Sequence, residues 1–255
     1  MWRFIAQSVQ GGSHAADNSP CQDSCAVRTF GVQNDASLVA CAADGAGSAR
    51  FGGVGARLAC ESIVTSAQSW ADAGLSFDDI RTPQLVAWCE EARKSISEYA
   101  EKSGSAGREF ATTLCLTVSS PRRASFLQIG DGAIVAKGRG VYGAVFWPQS
   151  GEYVNSTHFL TQPEFHDRVL TSECDSPLDD IALLTDGLER LALRFDSLTP
   201  HPPFFEPLFA VLRSAPDMAA LDRELSSFLK SESISQKTDD DRTLVLASRI
   251  YDDAA

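Results

Sequence analysis

The sequence has no run of the roughly 20 apolar residues that a membrane-spanning helix needs. Its first ten residues, MWRFIAQSVQ, hold one arginine and a short mixed run. They lack the apolar stretch of a secretory signal peptide. We therefore expect a cytoplasmic protein without a membrane partner.

Positive charge is also scarce. The 22 Lys and Arg residues face 34 Asp and Glu residues, which gives a net charge of −12. Proteins that bind nucleic acids or anionic membranes need basic surface to neutralise phosphate groups. The composition argues against a nucleic-acid partner, and the excess of carboxylates fits a protein that holds cations.

The cysteines show no pattern of a zinc site or a disulfide framework. Their number is seven, which is odd, and most of them lie in apolar stretches. This usage predicts reduced, buried thiols in a cytosolic protein. The spacing of an EF-hand loop is absent as well, which argues against a calcium-binding structural protein.

Apolar periodicity predicts an α+β protein in which runs of strands alternate with pairs of helices. We find no repeat or linker and expect one domain over residues 1–255. Helices are predicted at 54–72, 83–102, 204–213 and 218–230. Strands are predicted at 3–8, 24–30, 37–43, 110–118, 125–130, 133–136, 141–147, 153–160, 181–184 and 243–250. Two sheets with a helix pair on each outer face would bury all of these elements.

Acidic residues recur where these apolar runs end. Asp-Gly pairs begin at Asp44, Asp131 and Asp186, and a run of aspartates, 239–241, precedes the last strand. A hairpin turn is an alternative for Asp131-Gly132, and a helix start is one for Asp186. Turns and caps do not require aspartate every time, however.

Several carboxylates in one cleft would repel each other. At about 5 Å and an effective dielectric constant near 20, each pair costs roughly 3 kcal/mol. Hard divalent cations such as Mg²⁺ and Mn²⁺ remove that cost and prefer oxygen ligands. Because a glycine after the aspartate lets the backbone approach an ion closely, we predict that Asp44 carries a metal.

Taken in order, six motifs resemble the metal-dependent protein phosphatases of the 2C (PPM) family. They are CQDSCAV, AADGAGS, FATTLCL, IGDGAIVA, LLTDGLERL and TDDDRTLVLA. The resemblance extends from about Gly11 to Ile250, and the stretches GEYVNSTHFLT and HPPFFEPLF look like its bacterial, PphC-like branch. It implies a four-layer αββα sandwich with two antiparallel sheets, which agrees with the layers predicted above.

The resemblance also implies a metal site of two Mn²⁺ or Mg²⁺ ions. Asp44 would bridge both ions, the carbonyl of Gly45 would bind the first, and Asp186 and Asp240 would bind the second. A hydroxide held between the two metals would attack the phosphorus of phosphoserine or phosphothreonine in a protein substrate. The resemblance also suggests a cognate Ser/Thr kinase as a further partner.

Further residues take roles through the same resemblance. Asp131 would lie at a third, weaker metal site, and Asp23 would orient a metal-bound water. The family motif Asp-[Asp/Asn]-x-[Thr/Ser] begins at Asp240, and since side chains alternate along an extended chain, Asp239 and Asp241 are expected to face away from it.

The sequence departs from the family at two places. The histidine that many eukaryotic relatives carry after the Asp-Gly pair, proposed there as general acid, is Ala46 here. The arginine that commonly binds the substrate phosphate is Asn18. His14 and Arg50 are candidates for binding the phosphate instead. We interpret Thr112 and Thr113 as structural.

Two alternative functions stay open at this point. A catalytically silent relative would bind a phosphoprotein without cleaving it. A nucleotide-binding module is suggested by the glycines after the strand that ends at Asp44, but Arg50 stands where G-x-G-x-x-G requires its last glycine.

Overall fold

The computed structural model describes residues 1–149 and 157–251. Its strands, in chain order, are β1 (Trp2–Val9), β2 (Asp23–Phe30), β3 (Ser37–Asp44), β4 (Leu114–Ser119), β5 (Ala124–Ile129), β6 (Ala133–Gly138), β7 (Val141–Ala144), β8 (Leu170–Cys174), β9 (Asp180–Leu184), β10 (Leu193–Arg194), β11 (Thr199–Pro200) and β12 (Arg242–Arg249). Its α-helices are α1 (Gly12–Ala16), α2 (Gly52–Asp72), α3 (Thr82–Ser103), α4 (Phe165–Arg168), α5 (Glu189–Ala192), α6 (Pro202–Ser214), α7 (Met218–Leu229) and α8 (Glu232–Ser235).

Two five-stranded antiparallel sheets form the centre of the fold. The first sheet has the order β1-β12-β9-β6-β7, and the second has the order β2-β3-β4-β5-β8. Helices α2 and α3 cover the outer face of the second sheet, and α6 and α7 cover the outer face of the first. The predicted αββα layers are confirmed.

Strand β3 contributes side chains to two different apolar layers of the fold. It is buried along nearly its whole length. Val39 and Cys41 pack toward α2 and α3, whereas Leu38 and Ala40 pack between the two sheets. Because successive side chains point to opposite faces of a strand, an apolar run without polar alternation is what a central strand with two buried faces requires.

The other outer layer is built by aromatic and leucine side chains. Phe205 and Phe209 of α6 are fully buried, and they join Leu225 of α7 and Leu246 of β12 in one apolar cluster. Asp217 caps α7, since its carboxylate accepts hydrogen bonds from the backbone N–H groups of Ala219 and Ala220.

Two predicted strands differ from the structure. The run 110–118 becomes a strand only at Leu114, because the residues before it bond to the end of β3 instead. Of the run 153–160, residues 153–156 lie outside the described residues, and 157–160 form no strand. Strands β8, β10 and β11 were not predicted, and neither were the short helices α1, α4, α5 and α8.

All seven cysteines are free thiols, and four of them are buried: Cys41, Cys60, Cys89 and Cys115. In the described ranges, no helix combines the length and the apolar content that crossing a bilayer requires.

Candidate metal centre

Aspartates from both sheets meet at one edge of the sandwich. Asp44 ends β3 and lies opposite Asp23, the first residue of β2. Asp186 follows β9 in the other sheet, and Asp131 lies in the connection between β5 and β6. The strands run antiparallel, so residues far apart in the sequence reach the same edge.

Three of these carboxylates are close enough to share an ion. One carboxylate oxygen from each of Asp44, Asp131 and Asp186 lies within 4.8 Å of the others. All three side chains are half-buried. In the part of the chain that the structure describes, no lysine or arginine pairs with any of them. The group is an oxygen-rich cluster of the kind that hard divalent cations prefer.

The crowding of these acids is expressed in their pKa values. Burial, followed by the charges of Asp131, Asp240 and Asp23, raises the pKa of Asp186 to about 8. Burial and the neighbouring carboxylates, Asp23 first, hold the pKa of Asp44 well above its usual range. Burial also raises the pKa of Asp131. Such shifts mark a site where negative charge lacks a counter-charge, and a metal ion supplies one.

Asp240 lies near this cluster without belonging to its tightest part. Its charge contributes to the raised pKa values of Asp44, Asp131 and Asp186. Its Oδ1 accepts a hydrogen bond from the backbone N–H of Asp241 at 2.8 Å.

Its two neighbours differ sharply from it. Asp239 is exposed, and Asp241 is buried on another side, where its carboxylate accepts the backbone N–H groups of Gly11 at 2.6 Å and Gln22 at 2.5 Å.

Asp23 lies behind the cluster, 9% exposed. Its Oδ2 accepts hydrogen bonds from the hydroxyls of Thr185 at 2.7 Å and Thr243 at 2.8 Å. Its Oδ1 is buried and has no hydrogen-bond partner among the described residues. Burial raises the pKa of Asp23 to about 7. A buried carboxylate with one free oxygen is suited to accept a hydrogen bond from a ligand or a water.

The backbone of Asp44 is held by two threonines on the segment before β4. The Thr112 hydroxyl donates to the Asp44 carbonyl, and the Thr113 hydroxyl accepts from the Asp44 N–H, both at 2.9 Å. These residues were interpreted as structural, and the contact gives that role a direct consequence for the cluster: it fixes the end of β3.

Gly45 is required by close packing. A Cβ atom there would lie 2.1 Å from the carbonyl carbon of Gly52, at the start of α2. The Gly45 carbonyl lies 3.0 Å from the side-chain nitrogen of Gln22, in the amide orientation that satisfies Gln22. A carbonyl oxygen has a second lone pair, so this contact leaves room for another ligand.

Asp131 does not lie in a hairpin. Strand β5 before it belongs to the second sheet and β6 after it belongs to the first, so the Asp131-Gly132 pair carries the chain between sheets. Gly130, with φ of +102°, makes the turn possible. The Thr157 hydroxyl donates to Oδ2 of Asp131 at 2.5 Å, and the buried Oδ1 has no partner within the described ranges.

The alternative for Asp186 is correct in part. Asp186 is the first residue of a short 3-10 turn, Asp186–Leu188, which leads into α5. A turn start and a place in the cluster are compatible, because the side chain lies at the strand end in either case.

The two candidates for phosphate binding lie in different surroundings. His14, on α1, has its Nδ1 2.9 Å from Oδ2 of Asp241. Burial lowers the pKa of His14, but the close contact with Asp241 and the charges of Asp241, Asp240 and Asp23 outweigh it and raise the pKa overall. Arg50 is exposed, and its guanidinium lies 5.0 Å above the ring of Phe51.

Sequence reasoning missed several residues of the site. Thr185 and Thr243 bind Asp23, and their signal was available: each lies within three residues of a predicted ligand, Asp186 or Asp240. Glu189 is a further half-buried acid whose pKa is raised by burial and by the charge of Asp131.

The profile of the family described as Protein phosphatase 2C matches residues 10–230. The chain belongs to the protein phosphatase 2C family. It is 36% identical over 251 residues to serine/threonine-protein phosphatase 3 of Escherichia coli (strain K12), which covers 96% of this chain and 98% of that protein. The chain is a serine/threonine protein phosphatase of the 2C type, and it acts on phosphoproteins.

Solved structures of lower identity share the fold. The catalytic domain of the phosphatase PstP, solved with 2 manganese ions, has a TM-score of 0.63 at 16% identity and covers 98% of this chain and 99% of its own. RsbX, solved with magnesium, has a TM-score of 0.57 at 13% identity and covers 97% of this chain and 94% of its own. Stp1 from Staphylococcus aureus has a TM-score of 0.60 at 13% identity, with 97% and 95% covered.

Proposed function

We propose that the chain forms one phosphatase domain that hydrolyses phosphoserine and phosphothreonine esters in proteins with two divalent ions, Mn²⁺ or Mg²⁺. Asp44 would bind both ions, the Gly45 carbonyl would bind the first, and Asp186 and Asp240 would bind the second. Asp131 would hold a third, weaker ion. The observation that carries this proposal is the set of oxygens from Asp44, Asp131 and Asp186 within 4.8 Å, without a paired cation among the described residues.

The metals, when bound, supply a water that is nucleophilic at neutral pH and neutralise charge on the phosphoryl oxygens. The protein contributes geometry. Thr112 and Thr113 fix the backbone of Asp44, and Thr157 fixes one oxygen of Asp131. These contacts hold the carboxylates of Asp44 and Asp131 in position for the ions.

Asp23 lies behind the proposed metal ligands and is proposed to orient the attacking water. Thr185 and Thr243 occupy one of its oxygens, and the other is free to accept a hydrogen bond from the attacking water and orient it. His14 and Arg50 are proposed to meet the substrate phosphate. His14 has the stronger support, because it lies beside the site with a raised pKa. A kinase that phosphorylates the same substrate protein is proposed as a functional partner.

The test is dephosphorylation of a phosphothreonine peptide before and after metal removal. We expect a chelator to abolish turnover and Mn²⁺ or Mg²⁺ to restore it. Asp186→Asn, which keeps the side-chain size but removes the charge, is expected to lose at least about 100-fold in rate, beyond what loss of an outer contact costs.

Other results would contradict the proposal. Turnover that survives thorough chelation would reject the metal mechanism. An unchanged rate in Asp186→Asn would reject the assignment of this ligand. Peptide binding without turnover of either the peptide or p-nitrophenyl phosphate in Mn²⁺ would identify a silent relative.

A further inference from the structure

A carboxylate–imidazole pair lies beside the metal ligands and has no part in holding the metals. Nδ1 of His14 is 2.9 Å from Oδ2 of Asp241. The His14 side chain is 17% exposed and the Asp241 side chain is 2% exposed. Nδ1 of the imidazole is therefore buried against the Asp241 carboxylate, and part of the ring remains exposed.

Asp241 is fixed firmly enough to orient this ring. Its two oxygens accept the backbone N–H groups of Gly11 and Gln22, which come from two different segments of the chain. With Nδ1 of His14 facing this carboxylate, the ring nitrogen left for chemistry is Nε2. No protein group hydrogen-bonds to Nε2 in residues 1–149 and 157–251.

The segment that carries His14 lies directly against Asp239 and Asp240. A Cβ atom on Gly11 would lie 2.2 Å from the carbonyl carbon of Asp240. The N–H and the hydroxyl of Ser13 both donate to the carbonyl of Asp239 at 2.9 Å. The charges of Asp240 and Asp23 act on His14 in addition to that of Asp241. The ring therefore lies at the rim of the metal centre.

The reaction needs a proton at this rim. When the ester bond breaks, the serine or threonine oxygen leaves as a strongly basic alkoxide unless it is protonated. The other titratable groups identified around the centre are mainly carboxylates, which the metals require in the ionised form. Ala46, directly after the Asp44-Gly45 pair, has no proton to give.

We propose that His14 is the catalytic acid of this phosphatase and that Asp241 is its positioning residue. This inference rests on the function proposed above. The oxygen of the attacking water forms the new bond to phosphorus. The bond from phosphorus to the serine or threonine oxygen breaks, its electron pair stays on that oxygen, and the proton on Nε2 of His14 neutralises it. The attacking water loses one proton to solvent, and the imidazole regains one proton from solvent, so the step balances.

The test compares two leaving groups. A phosphothreonine peptide releases an alkoxide that needs the proton, whereas p-nitrophenyl phosphate releases a stabilised phenolate that hardly does. We expect His14→Gln to lose about 100-fold in kcat on the peptide, the lower end of the range for general acid catalysis. The loss on the aryl phosphate should be smaller by at least about tenfold.

The matched control is His166→Gln. His166 is 65% exposed and pairs with Glu90 on the helical side of the second sheet. On each of the two substrates, this variant should show the same rate as the native protein. Thermal unfolding and Mn²⁺ binding of each variant would identify a loss that comes from misfolding.

A second variant and a spectroscopic measurement test the pair itself. Asp241→Asn should shift the preference between the two substrates in the same direction as His14→Gln. In the metal-free protein, the nitrogen NMR signals of His14 should show Nδ1 keeping its proton, and Asp241→Asn should abolish that preference for one tautomer.

Each remaining outcome decides against the inference. An equal loss on both substrates would leave His14 with the phosphate contact proposed above or with a structural role, and would reject it as the proton donor. No loss on either substrate would remove it from the site. If the native protein turned over neither substrate with Mn²⁺, the proposed function itself would fail, and this result differs from the other two.

Discussion

Strand β9 has a buried or half-buried aspartate near each end, and the two carboxylates have opposite surroundings. At its start, Asp180 is 1% exposed and is fully matched. It accepts hydrogen bonds from Arg213 at 2.7 Å, from Ser248 at 2.6 Å and from Tyr142 at 3.2 Å. Lys137 lies 3.9 Å away. At this end of β9, the side chains of Arg213 and Lys137 supply the positive charge that Asp180 needs.

Beyond the other end of β9, Asp186 meets carboxylates instead of cations. Asp44 and Asp131 lie within its reach, and their charges, together with burial, keep the pKa values of the group high. A buried charge is tolerated only when it is paired or coordinates a metal. The difference between the two ends indicates that Asp180 stabilises the fold, whereas Asp186 has the surroundings expected of the metal ligand proposed above.

The largest expected effect comes from making the same substitution at both ends. Asp180→Asn should lower the free energy of unfolding by about 1–3 kcal/mol, since Arg213 loses its charged partner, while its 39% exposure lets water replace part of the loss. Asp186→Asn should not lower the stability of the metal-free protein, because it removes a repelling charge. Denaturant unfolding in chelator measures both, and a larger loss for Asp186→Asn would refute the comparison.

A smaller effect is expected behind the metal ligands. Thr243→Val removes one of the two hydroxyls that bind Asp23 and should lower kcat about tenfold, as expected for an outer contact of a metal site. Thr117→Val is the matched control, because the hydroxyl of Thr117 is also buried but has no hydrogen-bond partner among the described residues. Equal rates for the two variants would mean that Asp23 does not depend on its hydroxyl partners.

The smallest effect is a dependence of metal-free stability on pH. In the folded protein the pKa values of Asp23 and Asp186 are raised to about 7 and about 8, above the ordinary aspartate value of 3.8. At pH values between the ordinary pKa and the raised pKa values, the folded state binds more protons than the unfolded state. The stability of the folded state therefore falls as the pH rises. We expect the chelated protein to melt at a lower temperature at pH 8 than at pH 5.5.

Added Mn²⁺ should reverse this trend, because binding requires deprotonated carboxylates and is favoured at high pH. The stabilisation by Mn²⁺ should therefore be larger at pH 8 than at pH 5.5. A melting temperature in chelator that rises with pH over this interval would show that the acids are neutralised by protein groups, as Asp180 is.

Local pattern was sufficient for most of the secondary structure. Helices α2, α3, α6 and α7 were predicted within about two residues at each end, since their apolar faces repeat at helical spacing. The error at 110–118 has a specific cause. Thr112 and Thr113 look like strand residues, but their hydroxyls bond to Asp44, and no local pattern encodes a contact with a residue about 70 positions away.

The candidate ligands could be named from their motifs, but their environment could not. The Asp-Gly pair at Asp131 looks the same in the sequence whether it makes a hairpin or passes between sheets. The run of aspartates at 239–241 likewise gives no sign that Asp241 would be buried against Gly11, Gln22 and His14.

The sequence by itself determined the secondary-structure layers and the identity of the candidate acids. Strand alternation and helical spacing are local properties, and each of these aspartates lies next to one end of an apolar run. Only the tertiary structure decided which acids meet and which are neutralised. Asp180 and Asp186 lie six residues apart, at the two sides of the same apolar run. Their different roles depend on Arg213 at one end and on Asp44 and Asp131 at the other, and these contacts form only when distant segments pack together.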